Sequence, residues 1–590
     1  MTDARRFRKV EVVAQDPSVR RGTKVVTSVV TIPYEPLDPG PMGYALHVVD
    51  YDASTATFYE PAVIPDDEIV RAPTSRKALL ADPEYHAINA YALAMRTLAR
   101  FEYALGRRVG WGVRGHQLKV VPHAFEEANA FYSPEAEAIM FGYTRTTPPM
   151  FLCLSHDIVV HETAHALLDG LRDRFMAPSS ADQAALHEAF ADIVALLSVF
   201  SLDDVLGHFL DTTTDAKGTR SAARSAPRGM VARADLTEKA LQRSVLLGMA
   251  EDMHDPDDLT RANALRRSVE LMARPTILDE HEFADEPHRR GEVVVAAFMS
   301  AFVKVWADRL GRLGSPGGRF VDRELAAEQG AVIADLLMTM AIRAIDYTPP
   351  IHITFGDFLS ALVTADSEVR SDDASYQLRA HLLTAFSAFG IHPICPGDAD
   401  VPGRWRRPEN PLERSGLHLV ALQTDPTEMF RLVWRNRSEL GLHDNAFTRI
   451  ASVRPCVRVS PDDGAQLRET VVEVTQYVTI TAAQLPDFGL SRPIGMAIDF
   501  EDEFALEGGT TLVLDEFGDL KFSISNHLPS RTDDPDRRSI SQRRLEYLWS
   551  NGYLTRRANL SNRLGRLHAL RARGDEFGRA DRYDASEAWV

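Results

Sequence analysis

Two short segments, HETAH at residues 161–165 and HEAFAD at residues 187–192, carry the side chains in this chain best suited to chemistry. On a helix, His161 and His165 project from one face, close enough to share one tetrahedral ion. Glu162 then lies beside them, where its carboxylate reaches the ion's water without ligating the metal. On a second helix, Glu188 and Asp192 share a face of the apolar run ADQAALHEAFADIVALLSVF, residues 181–200. A carboxylate pair on so apolar a helix is costly unless a cation or a hydrogen-bond donor meets it. The expectation is a His2Glu zinc site, one ion per chain, ligated by His161, His165 and Glu188. Asp192 holds the ring nitrogen that His161 does not give to the metal, and Glu162 is the general base. The plainer alternative is a buried helix that happens to carry two histidines, with Glu188 and Asp192 on a solvated face.

The elements that must position these residues follow from periodicity. Residues 6–64 alternate apolar and polar positions between Pro and Gly, which predicts short strands and turns. From Pro83 to Leu105 apolar residues recur at three- and four-residue intervals, which predicts a long helix. Residues 117–143 return to strand-like alternation, and residues 156–392 read as mostly helical. The stretch ICPGDADVPGRWRRPENP, residues 394–411, is rich in Pro, Gly and charge and predicts a domain boundary. Beyond it, TVVEVTQYVTIT and TTLVLDEFGDLKFSIS read as strands, the second a hairpin turning at Phe517-Gly518-Asp519.

With HETAH and HEAFAD in this order, the chain resembles the thermolysin family of zinc metallopeptidases, the gluzincins whose third ligand comes from an ExxxD helix. NAFYSPEAEAIMFGY, residues 129–143, resembles the family's edge strand that holds substrate, and HRRGEVVVAAFMSAF, residues 288–302, resembles its active-site histidine segment. AIRAIDYTPPIHITFGDFLSALVTAD and LLTAFSAFGIHP resemble the helical end of the peptidase domain, so the likeness runs from about residue 80 to 392. The resemblance implies a metalloendopeptidase that hydrolyses peptide bonds by metal-activated water. It implies that Asn129, Ala130 and Tyr132 line the cleft and bind substrate, that Asp169 supports the metal site from behind, and that His288 acts on the developing oxyanion. It also implies an α+β, two-lobed peptidase: a β-rich N-terminal lobe, a mainly helical C-terminal lobe and the HExxH helix between them. Departures from the pattern are a longer loop between His165 and Glu188, and no tyrosine in that loop to assist the histidine, which leaves Tyr143 or Tyr347 as substitutes. The acidic cluster that binds calcium in secreted members is mostly missing, so no calcium is expected. His123, His156 and His187 have no assigned role and default to structural ones.

The chain has 590 residues, enough for two to four domains, with 45% hydrophobic and 25% charged residues. The predicted division is a β-rich segment 1–75, the peptidase domain 76–392, a linker 393–411 and a C-terminal α+β accessory domain 412–590. A chain ending near Pro393 is therefore expected to fold and bind zinc. A net charge of −18 argues against a nucleic-acid or acidic-membrane partner. No apolar core of signal-peptide length follows the N-terminus, and no stretch approaches 18 uninterrupted apolar residues, so a cytoplasmic location is expected. Cys153, Cys395 and Cys456 form no CxxC pair and read as reduced thiols. The expected partner is a peptide or protein substrate. The Arg-rich close, residues 537–574, reads first as a solvated helix and second as a contact for a protein partner or for autoinhibition. A non-catalytic binding or scaffold module on the same fold is the alternative function, although a scaffold has no need of Glu162.

Overall fold

A computed structural model describes residues 6–21, 24–66, 68–177, 179–211, 227–243, 268–284, 286–313, 318–370, 373–397, 400–460, 463–497 and 502–554. The order of elements is mixed α+β. In the first third, β1 (Phe7–Val13) pairs antiparallel with β2 (Thr27–Pro33). β3 (Leu46–Val48) is followed by α1 (Pro83–Leu105) and then β4 (Leu118–Phe125), which runs parallel to β3, so α1 is a crossover helix. β5 (Ala130–Ser133), β6 (Ala138–Thr144) and β7 (Met150–Phe151) complete the sheet. β6 lies parallel to β4 and antiparallel to both β5 and β7.

The boundaries of α1 have local causes. Asp82 accepts a hydrogen bond from the Tyr85 N–H, Pro83 occupies the first helical position where no N–H is needed, and Gly106 ends the helix at φ 68°. Gly106 is constrained a second way, because a Cβ there would overlap the carbonyl of Val457.

The helical region contains α2 (His156–Leu171), α3 (Ala181–Phe200), α4 (Pro287–Arg312), α5 (Arg323–Ala344) and α6 (Phe355–Val369). α3 is the axis of this region, packed against α2, α4 and α5. It and the stretch Arg323–Tyr347 are long and apolar enough to cross a membrane by length and composition, but 89% and 61% of their apolar windows are buried inside the protein, as in core helices. α6 starts with a capping box, in which Thr354 and Asp357 exchange side-chain and backbone hydrogen bonds.

Burial pushes the Asp357 carboxyl up to about 6, against the Thr354 hydrogen bonds that lower it. Its folded-state value thus exceeds its unfolded one, so its contribution to stability is full below about pH 4 and is lost as pH rises through about 6. Asp357→Asn keeps the capping oxygen and does not titrate. Between pH 4 and 7 its stability relative to the parent should improve by on the order of 2–3 kcal/mol, read from paired denaturant titrations.

The last part is a four-stranded antiparallel sheet of β8 (Phe447–Val459), β9 (Gln466–Ile480), β10 (Phe504–Asp515) and β11 (Leu520–Asn526), followed by α7 (Pro535–Ser550). Alternation divides its side chains. Val513, Phe522 and Ile524 join the main hydrophobic core, while Leu512 and Leu514 pack on the opposite face with Met429, Leu432 and Val433. Polar contacts tie the same sheet to the helical region. Asp346 is fully buried and meets Arg107 at 2.5 and 2.7 Å and Arg458 from β8. The Tyr347 hydroxyl donates to Glu469 at 2.6 Å, and Arg172, at the end of α2, pairs with Glu473. Burial alone would raise the Asp346 carboxyl, but Arg107, Arg458 and Arg172 outweigh it and hold the group far below its ordinary value.

In the described part of the segment 394–411, Trp405 is tied back to the helical region. Trp405 donates its indole N–H to the Tyr347 carbonyl at 2.8 Å and its main-chain N–H to Thr364 at 2.9 Å. The expectation that a chain ending near Pro393 folds by itself is therefore opposed: Arg172, Asp346 and Tyr347 of the helical region each have a buried polar partner in residues 458–473, beside partners such as Arg107 that lie earlier in the chain. The Arg-rich close from residue 555 onward lies outside the described residues.

Candidate metal centre

α2 and α3 pack side by side, and their polar side chains converge at one place along an otherwise apolar contact. His161 and His165, each 1% exposed, are four residues apart on α2, and their rings meet edge-on with centroids 4.2 Å apart. Glu188 on α3 brings its Oε2 within 3.8 Å of His161 Nε2 and 3.7 Å of His165 Nε2, and donor atoms of all three lie within 4.8 Å of one another. A tetrahedral ion with bonds of about 2.0–2.2 Å separates its donors by about 3.4 Å, a spacing that the two Glu188–histidine distances exceed by only a few tenths of an ångström.

The surroundings orient the donors. Asp192 Oδ1 is 2.9 Å from His161 Nδ1, so the carboxylate holds the far nitrogen and directs Nε2 toward Glu188. His187, one residue before Glu188, stacks on the His165 ring at 4.6 Å with planes 7° apart. Residue type and spacing assign His187 only a structural default; its place beside Glu188 was the available signal. His156 keeps its structural role, with its Nε2 2.9 Å from the Ser198 hydroxyl.

Glu162 is 1% exposed, and its Oε2 accepts the Tyr132 main-chain N–H at 3.0 Å. This contact joins α2 to β5, and sequence reasoning missed it because a main-chain donor has no residue-type signature. Tyr132 itself points inward. Its ring is buried and its hydroxyl donates to Asp169 at 2.9 Å, so it fixes β5 on α2 instead of facing the cleft as expected. Asp169 correspondingly holds Tyr132 and not a ligand histidine. Burial pushes the Asp169 carboxyl up to about 6, with the Tyr132 hydrogen bond opposing. Gly112 makes room for it, since a Cβ there would overlap the Asp169 carboxylate.

Among the described residues β5 pairs only with β6, and its other edge turns the Tyr132 N–H to Glu162. Ala130 is half-buried on that strand, and Asn129 just before it is held by its own carbonyl, which accepts the Gly142 N–H at 2.7 Å.

His288 arrives from a third helix. Glu286 caps α4 by accepting the Arg289 N–H, Pro287 starts the helix, and Gly291 lets α4 approach α3 so closely that a Cβ would stand 2.8 Å from the Ala185 carbonyl oxygen. This approach sets His288 Nε2 3.6 Å from Glu188 Oε2, with the ring 40% exposed. Tyr143 and Tyr347 are engaged elsewhere: Tyr143 donates to Asp52 at 2.6 Å and Tyr347 to Glu469 at 2.6 Å. His123 lies in the sheet, 2.9 Å from Asp50, and belongs to a separate cluster.

The structure thus brings together His161, Glu162, His165, Glu188, Asp192 and His288, with Asp169 and Tyr132 behind them, Ala130 on the adjoining strand and Asn129 just before it. No protein-family model matches the sequence, and no curated protein matches it.

Proposed function

We propose that this chain is a zinc-dependent metalloendopeptidase of thermolysin-like, two-lobed architecture. The observation that carries the reading is the convergence of two histidines and one glutamate at ligand spacing, with a second glutamate, Glu162, buried beside them and held by a main-chain N–H. A zinc ion held by His161, His165 and Glu188 would lower the pKa of a water to about 7 and polarise a carbonyl group.

The remaining work falls to the chain. Glu162 takes a proton from the attacking water on its carboxylate and passes it to the leaving amine. His288, on the open side of Glu188, donates a hydrogen bond to the oxygen of the carbonyl under attack. The edge of β5 away from β6 takes an extended peptide as an added strand, with Asn129 and Ala130 at the contact. The substrate is a peptide or protein, and the cytoplasm is the proposed location.

Glu188→Ala tests the metal. Elemental analysis should show the loss of one zinc per chain relative to the parent, with the fold retained. Equal zinc in both proteins, after loading and removal of free metal, would refute the ligand set.

His288→Ala should lower kcat by about 10² to 10³, roughly 3–4 kcal/mol, with KM and zinc content little changed. A rise in KM at constant kcat would make His288 a substrate-binding residue, and loss of zinc would make it a ligand or a support.

One observation favours a second reading, a catalytically weak peptidase fold that serves as a binding module. Both tyrosines that were candidates to assist the histidine are tied up elsewhere, at Asp52 and Glu469. A peptide-library digest separates the two: binding without cleavage by the zinc-loaded protein selects the module.

A further inference from the structure

A second cluster of metal-ligating side chains lies in the β-rich part of the molecule, distinct from the Glu188 group. His86 from α1, His123 from β4 and Cys153 from the turn ahead of α2 are 1%, 1% and 0% exposed, and one donor atom of each lies within 4.8 Å of the other two. The rings are fixed from behind. His86 Nε2 is 2.8 Å from the Leu79 carbonyl oxygen, and His123 Nδ1 is 2.9 and 3.0 Å from the two oxygens of Asp50. The inward nitrogens, His86 Nδ1 and His123 Nε2, face each other 2.8 Å apart. A backbone carbonyl behind one histidine and a carboxylate behind the other is the support that ligand histidines require. Cys153 is anchored too: its carbonyl accepts from the Asn89 side chain at 3.0 Å, and Asn89 in turn accepts the Val13 N–H. Phe151 and Tyr59 pack on the histidine rings and close the site with apolar surface.

We propose that His86 Nδ1, His123 Nε2 and Cys153 Sγ form a second, structural site for a divalent thiophilic ion of the zinc class. Two imidazoles and one thiolate are the donors such an ion prefers. A divalent ion suits the charge of the donors: the ligand thiolate of Cys153 and the Asp50 carboxylate behind His123 bring two negative charges to a dry interior, and two neutral imidazoles bring none. Seating the ion widens the gap between the two nitrogens from 2.8 Å to about 3.4 Å, a few tenths of an ångström per ring.

The test is cobalt loading of the full chain during expression, read by visible and near-ultraviolet absorption. A thiolate-to-cobalt charge-transfer band requires a cysteine ligand, and the His161, His165 and Glu188 set has none, so the result does not depend on the proposed peptidase activity. The band should appear in the parent and persist in Glu188→Ala, with cobalt content falling from two to one per chain. It should also persist in the double variant Cys395→Ser, Cys456→Ser, in which Cys153 is the sole thiol, and vanish in Cys153→Ser. If Cys153→Ser fails to fold, the double variant decides. A soluble double variant without the band overturns the proposal and leaves a hydrogen-bonded relay only, as does a band that survives in Cys153→Ser.

Discussion

Glu162→Gln is expected to lower kcat for peptide hydrolysis by about 10² to 10⁴ while leaving zinc and fold in place. The amide is nearly isosteric and keeps an oxygen to accept the Tyr132 N–H, so the link between α2 and β5 survives. What disappears is a group able to take a proton and return it. Steady-state kinetics on an internally quenched peptide, with zinc measured on the same sample, checks both halves. Cleavage at the parent's rate would refute the assignment of the base, whereas loss of zinc would make Glu162 part of the metal's support.

The second large effect concerns the C-terminal sheet. A chain ending at Pro393 loses Arg458, Glu469 and Glu473 from buried ion pairs and Val513, Phe522 and Ile524 from the main core. The Tyr347 hydroxyl loses both Glu469 and Arg458, and Arg172 and Asp346 lose one charged partner each, all three residues being buried. Breaking one buried pair by removing a single partner costs about 3–5 kcal/mol, against a total stability of about 5–15 kcal/mol for a typical domain. The shortened chain should be insoluble or lack fixed side-chain packing, as judged by its soluble fraction and near-ultraviolet circular dichroism. A monodisperse, zinc-binding product would restore the reading of residues 412–590 as a separate accessory domain.

Particular residues show what could be read in advance. α1 was legible to the residue because its ends carry their own signals, Asp82-Pro83 at the start and Gly106 at the stop. The hairpin at Phe517-Gly518-Asp519 was legible because Gly518 supplies a φ of 78° between two apolar runs. The convergence of His161, His165 and Glu188 was legible because helical spacing alone places His161 with His165 and Glu188 with Asp192.

Residues 394–411 misled because Pro, Gly and charge report local backbone preference, and nothing in them says that Trp405 returns to Tyr347. β8 is the sharper case. Alternation along RPCVRV would bury Val457 and Val459 and expose Arg458, yet Arg458 is 0% exposed while the two valines are 44% and 40% exposed. Its face is set by Asp346 and Glu469, 112 and 11 residues away in sequence, and no local pattern carries that information.

The shared core also orders events during synthesis. Asp346 leaves the ribosome long before Arg458, and Arg172 before Glu473; at about 5–20 residues per second, the 127 residues separating Asp346 from Glu473 take about 6–25 s to make. Throughout that interval α2 and α3 exist without the sheet that supplies partners to Arg172 and Asp346. The nascent chain therefore carries His161, Glu162, His165 and Glu188 on an unfinished framework until residues 447–526 have been made.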